Sequence, residues 1–180
     1  MTESWGQEIQ AWHDFYVIIG GAAAGLTGLM FIVVSLGPPG IVYRASRGVR
    51  AFVTPTVVFF ASVLVVAAVM ATPTLGPATV AVALAVGSIG ALVYLWIVEG
   101  HKQWRENNLD RLDWLWYIAL PIVSYVATLA AAGAIFMRVA IGLELLGGAM
   151  LFLLVIAIHN AWDLVLWMTQ QPRGGGTREA

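Results

Sequence analysis

Gly148-Ala-Met-Leu-Phe-Leu-Leu-Val-Ile-Ala-Ile158 runs into His159-Asn160-Ala161-Trp162-Asp163 and leaves through Leu164-Val-Leu-Trp-Met168. This is an apolar helix with a polar insert in its final third. His159 and Asp163 are one turn apart, so they share a helix face. Ionisable groups inside a membrane span are costly unless they lie near its end or find partners. The stretch therefore predicts a transmembrane helix with polar residues in its final third, which must be near its end or partnered.

Composition extends that reading to the whole chain. It is 60% hydrophobic and 11% charged, with a mean hydropathy of +0.84. Soluble domains carry about 25% charged residues. No water-soluble fold of 180 residues hides so much apolar surface. There is no Cys, which excludes disulfides, thiolate metal sites and thiol nucleophiles.

Four further apolar runs precede the quoted one. The five spans are about 15–36, 51–71, 78–98, 114–137 and 141–168. Each has roughly the 20 residues needed to cross about 30 Å of hydrocarbon. Gly37-Pro38-Pro39-Gly40 ends the first and Thr72-Pro73 ends the second, because proline lacks a donor and clashes with the preceding turn. Lipid requires backbone groups to be satisfied within the segment, so helices are predicted. The alternation of a β-barrel is absent. The expected fold is an all-α, five-helix membrane bundle. It forms a single membrane domain over residues 1–171, with a flexible glycine-rich tail over 172–180. Met1 to Trp12 carry Glu3 and Glu8 and no Lys or Arg, which argues against a cleavable signal.

Basic residues predict the orientation. Arg44, Arg47 and Arg50 follow span 1, Lys102, Arg105 and Arg111 follow span 3, and Arg173 and Arg178 follow span 5. These segments share one side, and the other side holds only Arg138. The positive-inside rule then puts the N-terminus outside and the C-terminus in the cytoplasm. So lopsided a split disfavours insertion in both directions. Arg44, Arg47 and Arg50 lie on one broad helical face and are expected to meet anionic lipid headgroups. No basic domain exists for nucleic acid. Short loops and simple topology suggest a bacterial-type inner (plasma) membrane.

Trp96, Trp104, Trp114, Trp116, Trp162 and Trp167 fall near the predicted cytoplasmic ends, and Trp5 and Trp12 near the opposite boundary. All are expected to anchor at the interface, where an amphipathic ring is at home. Span 1 carries Gly20, Gly21, Gly25 and Gly28, and span 3 carries Ala83, Gly87 and Ala91. Small residues at this spacing let helices approach closely. Gly21, Gly25, Gly28 and Gly87 are expected to pack within the chain, with a subunit interface as the alternative. No Lys follows these glycines, so they form no phosphate loop.

Depth then gathers the polar residues. Spans 3 and 5 run in the same direction, and Asp163 lies about 30 Å along the helix from Gly142. Glu99, His101, His159, Asn160 and Asp163 are therefore expected in one cytoplasmic-side layer, with Pro55 and Pro121 nearby. Thr27, Ser62, Ser88, Tyr94, Ser124, Tyr125 and Thr128 are the main polar groups deeper in the spans. Glu144 and Asp163 differ by about 100° around the helix, so they do not line one stripe. His13 is expected at the opposite boundary. Three readings of the layer stand side by side: interhelical hydrogen bonding, a permeation or proton-relay site, and a metal or hydrolytic site. The leading expectation for function is a channel- or transporter-like homo-oligomer. The alternative is a non-transport membrane subunit or regulator working through an unidentified membrane partner. No cofactor fingerprint and no catalytic constellation is present.

Overall fold

The computed structural model describes residues 2–36, 48–103 and 114–170. Among them, five helical segments are long and apolar enough to cross a membrane. They are α1 (Thr2–Leu36), α2 (Gly48–Ala71), α3 (Pro77–Gln103), α4 (Leu120–Phe136, entered through a π-helical turn at Leu115–Ala119) and α5 (Ile141–Gln170). The chain is an all-α membrane bundle, as expected, and its first helix begins well before the span expected at 15–36. The tail after Gln170, with Arg173 and Arg178, lies outside the described residues, as do Arg44, Arg47, Trp104, Arg105 and Arg111. Arg50 is part of α2, but its side chain is likewise outside the description.

Helix α5 is the axis of the bundle. It packs against α4 on one side and α2 on the other, α3 packs on the far side of α4, and α1 covers α2 while also touching α5. The interior is built from Phe59, Phe60 and Val63 of α2 and Leu146, Met150, Leu153 and Ile156 of α5, all fully or almost fully buried. In lipid these contacts act through dispersion and shape. Exposed Ile18, Val65, Val86, Val123 and Val155 face the hydrocarbon.

Close helix approach does rest on glycine, but at other positions than expected. A Cβ on Gly20 would stand 2.7 Å from the Ala67 Cβ, and one on Gly147 would stand 2.7 Å from the Trp12 ring. By contrast, a Cβ on Gly21, Gly25, Gly28 or Gly87 would have no other atom within 4 Å. The intrachain packing expected of those four is thus corrected: they face away from the other described residues. Spacing reveals that a stripe exists, but not which side of it the neighbouring helix occupies.

Two tryptophans also need correction. Helix α1 extends back to Thr2, and its first turns are packed on the bundle end. Trp5 is buried, and its Nε1–H donates to the Leu75 carbonyl at 3.1 Å. Trp12 fits over Gly147 and meets Phe15 edge-on at 5.4 Å. These rings fill gaps between helices. Trp96, Trp114 and Trp162 are exposed, as an interfacial belt requires.

Candidate functional site

His159, Asn160 and Asp163 lie where α5 meets the start of α4. Pro121 has no N–H, and its ring would crowd the carbonyl four residues back. The chain widens just before it: the Leu120 N–H bonds the Leu115 carbonyl, five residues back, closing the π-helical turn. Such turns recur at functional sites. This one sets Trp116 and Tyr117 against α5.

Three contacts define the geometry. The Trp116 and His159 rings stack face to face, 3.8 Å between centroids and 3° from parallel. His159 Nδ1 lies 3.3 Å from Asp163 Oδ2, close enough for an ion pair but not aligned for a hydrogen bond. The Tyr117 hydroxyl donates to the Asn160 main-chain oxygen at 3.4 Å. The imidazole is thus held by an aromatic face on one helix and a carboxylate one turn along its own. His159 and Asp163 are each more than a third exposed, so the cluster opens toward the end of the bundle.

Asn160 points the other way. It is 0% exposed, and neither Oδ1 nor Nδ2 has a hydrogen-bond partner among the described residues. An unmade hydrogen bond of this kind costs about 1–3 kcal/mol. Deeper in the bundle, Thr56, Ser88, Ser124 and Thr128 are buried as well. Thr128 donates to the Ser124 carbonyl at 2.8 Å, while the Ser124 hydroxyl itself has no partner among the described residues. Ser62 donates to the Val58 carbonyl at 2.8 Å. Its one proton being committed, Tyr125 must donate across to the Ser62 oxygen, at 2.9 Å. Buried polar side chains are thus present on α2, α3, α4 and α5, and Ser62 and Thr128 bond carbonyls of their own helix. Toward the Trp5 end the interior closes with Val63, Ala67, Met70, Leu146 and Met150.

The structure thus brings together His159, Asn160 and Asp163. The side chains of Glu99 and His101 lie outside the described residues. Their helix, α3, packs mainly on α4. Trp116 and Tyr117, in the turn that opens α4, are described neighbours of the His159–Asn160 segment. Their role was hidden because a π-helical turn changes the register in a way that regular helical spacing does not convey. Among the described residues, no three His, Asp or Glu side chains gather as a metal site. His13 pairs with Asp14 at 3.2 Å on the exposed surface of α1. Fold and site together define a five-helix integral membrane protein with a polar cluster at one end. No protein-family model, curated protein or solved structure shows a significant match to the chain.

Proposed function

We propose that this is a small channel- or transporter-like membrane protein that works as a homo-oligomer, with the cytoplasmic-side cluster of Trp116, His159, Asn160 and Asp163 as its polar entrance. One observation carries the reading: the Asn160 amide is fully buried with both polar atoms unpartnered among the described residues, beside an imidazole–carboxylate pair. A buried amide left in this state is poised to bond a passing solute. The buried hydroxyls of Thr56, Ser124 and Thr128 supply further polar groups within the spans, which supports the same reading.

The outward face of α1 supports self-association. Gly21, Gly25 and Gly28 have no other described residue against them, and helical spacing puts Asp14, whose side chain is 96% exposed, on that same face. A second copy would cover the small-residue stripe by close helix contact. The same face supports the alternative of a non-transport subunit that docks a different membrane protein. The distribution of basic residues supports an N-terminus outside and a C-terminus in the cytoplasm of a bacterial-type inner membrane. Proteoliposome flux of protons, metal cations and small anions discriminates the readings. Transport predicts flux above empty vesicles for one of these solutes. Folded protein that passes none of them supports the subunit reading.

A further inference from the structure

The opposite end of the bundle holds a second feature. A cleft of about 170 Å³ opens between the first turns of α1 and the α4–α5 connection, lined by Trp5, Glu8, Ile135, Arg138, Val139 and Leu143 among others. Helix α4 stops at Phe136 and α5 starts at Ile141, so the cleft lies where the apolar spans end. Phe136, Val139 and Ile141 beside it are exposed and continue its apolar wall toward the hydrocarbon.

Arg138 is held there at a conformational cost. Its φ is +60°, in the left-handed region that costs an ordinary residue roughly 1–2 kcal/mol. The position ends α4: the Arg138 N–H bonds the Ile135 carbonyl at 3.1 Å and the Val139 N–H bonds the Ala134 carbonyl at 2.9 Å. That double bond is a helix-ending motif that normally uses glycine. Here the chain has an arginine instead, and its guanidinium lies 5.8 Å over the Trp5 ring. Glu8 lines the same cleft, yet no ion pair joins it to Arg138 among the described residues. One cation and one carboxylate thus face a shared space at the membrane boundary.

We propose that this cleft binds a zwitterionic phospholipid of the phosphoethanolamine class, with the phosphate on Arg138, the primary ammonium on Glu8 and the acyl chains leaving over Val139 and Phe136. Arginine suits a phosphate through paired, charge-assisted hydrogen bonds. A primary ammonium offers donors that a carboxylate accepts. A quaternary ammonium has no such donors and is recognised by an aromatic face, and here Arg138 already covers the face of Trp5.

The test is native mass spectrometry of the full chain in detergent, titrated with dioleoyl phosphatidylethanolamine, phosphatidylcholine and phosphatidylglycerol. The ethanolamine lipid should bind most tightly. Glu8→Gln should weaken it about tenfold, the size of one lost charge-assisted hydrogen bond. Arg138→Gly should weaken it as much while leaving the fold intact, since glycine suits the left-handed position. Equal binding of the three lipids overturns the proposal, as does an undiminished ethanolamine preference in Arg138→Gly. Tighter binding of phosphatidylglycerol reduces the site to a phosphate contact and also overturns it. Water-soluble phosphoethanolamine binding as tightly as the lipid would show that the cleft does not read a membrane ligand.

Discussion

Gly20 and Gly21 are adjacent in one helix and have opposite surroundings, which makes them a sharp probe of the packing. A Cβ on Gly20 would come within 2.7 Å of the Ala67 Cβ, whereas carbon atoms rest at about 3.5–4.0 Å. Helices α1 and α2 must therefore move apart by roughly 1 Å, an overpacking cost of about 1–3 kcal/mol. A Cβ on Gly21 meets nothing within 4 Å. Both substitutions to Ala gain similar helix propensity, about 1 kcal/mol in water. That gain cancels in the comparison, so Gly20→Ala should be less stable than Gly21→Ala by about 1–3 kcal/mol. Reversible unfolding of the monomer in mixed detergent measures the difference. Ala67→Gly should rescue Gly20→Ala and leave Gly21→Ala without benefit, a coupling of the size expected for side chains in contact. Equal stabilities for the two alanine variants, or no rescue by Ala67→Gly, would refute this placement of α1 on α2.

Three further outcomes are expected. Ser62→Ala should destabilise more than Tyr125→Phe, because it leaves the buried Tyr125 O–H without an acceptor whereas the phenylalanine removes the donor itself; thermal unfolding of the two variants measures the difference, and the reverse order would mean that Tyr125 is not the donor. Gly25→Leu should leave monomer stability nearly unchanged and break self-association, read by crosslinking in lipid, since Gly25 faces away from the other described residues. A reporter fused after Ala180 should be active only in its cytoplasm-dependent form; activity of a periplasm-dependent reporter there would invert the proposed orientation.

Much of the fold was readable from the chain because lipid imposes one dominant constraint. Twenty-residue apolar runs separated by Pro, Gly and Arg leave few alternatives to α1 through α5. Which face of each helix meets another was not readable. Lipid-facing and buried positions are both apolar here, so Gly20 and Gly21 look alike in the sequence, and Trp5 looks as interfacial as Trp162. The site was half legible. His159, Asn160 and Asp163 stand out as polar residues in an apolar run. Trp116 does not, since its stacking depends on the widened turn before Pro121 and on α4 lying beside α5.

The central claim is that the Asn160 amide is kept for passage rather than for packing, and Asn160→Leu tests it most directly. Leucine shares asparagine's branched side-chain skeleton, with methyls in place of the amide oxygen and nitrogen, and removes a buried amide without hydrogen-bond partners among the described residues. Paired measurements of unfolding free energy and proteoliposome flux on this one variant should move in opposite directions. Stability should rise by about 1–3 kcal/mol, the cost of the unmade hydrogen bonds, while flux of the solute carried by the native protein falls to the level of empty vesicles. A fall in stability with native flux would contradict the account, since it would make Asn160 a structural hydrogen-bonding residue with no part in transport.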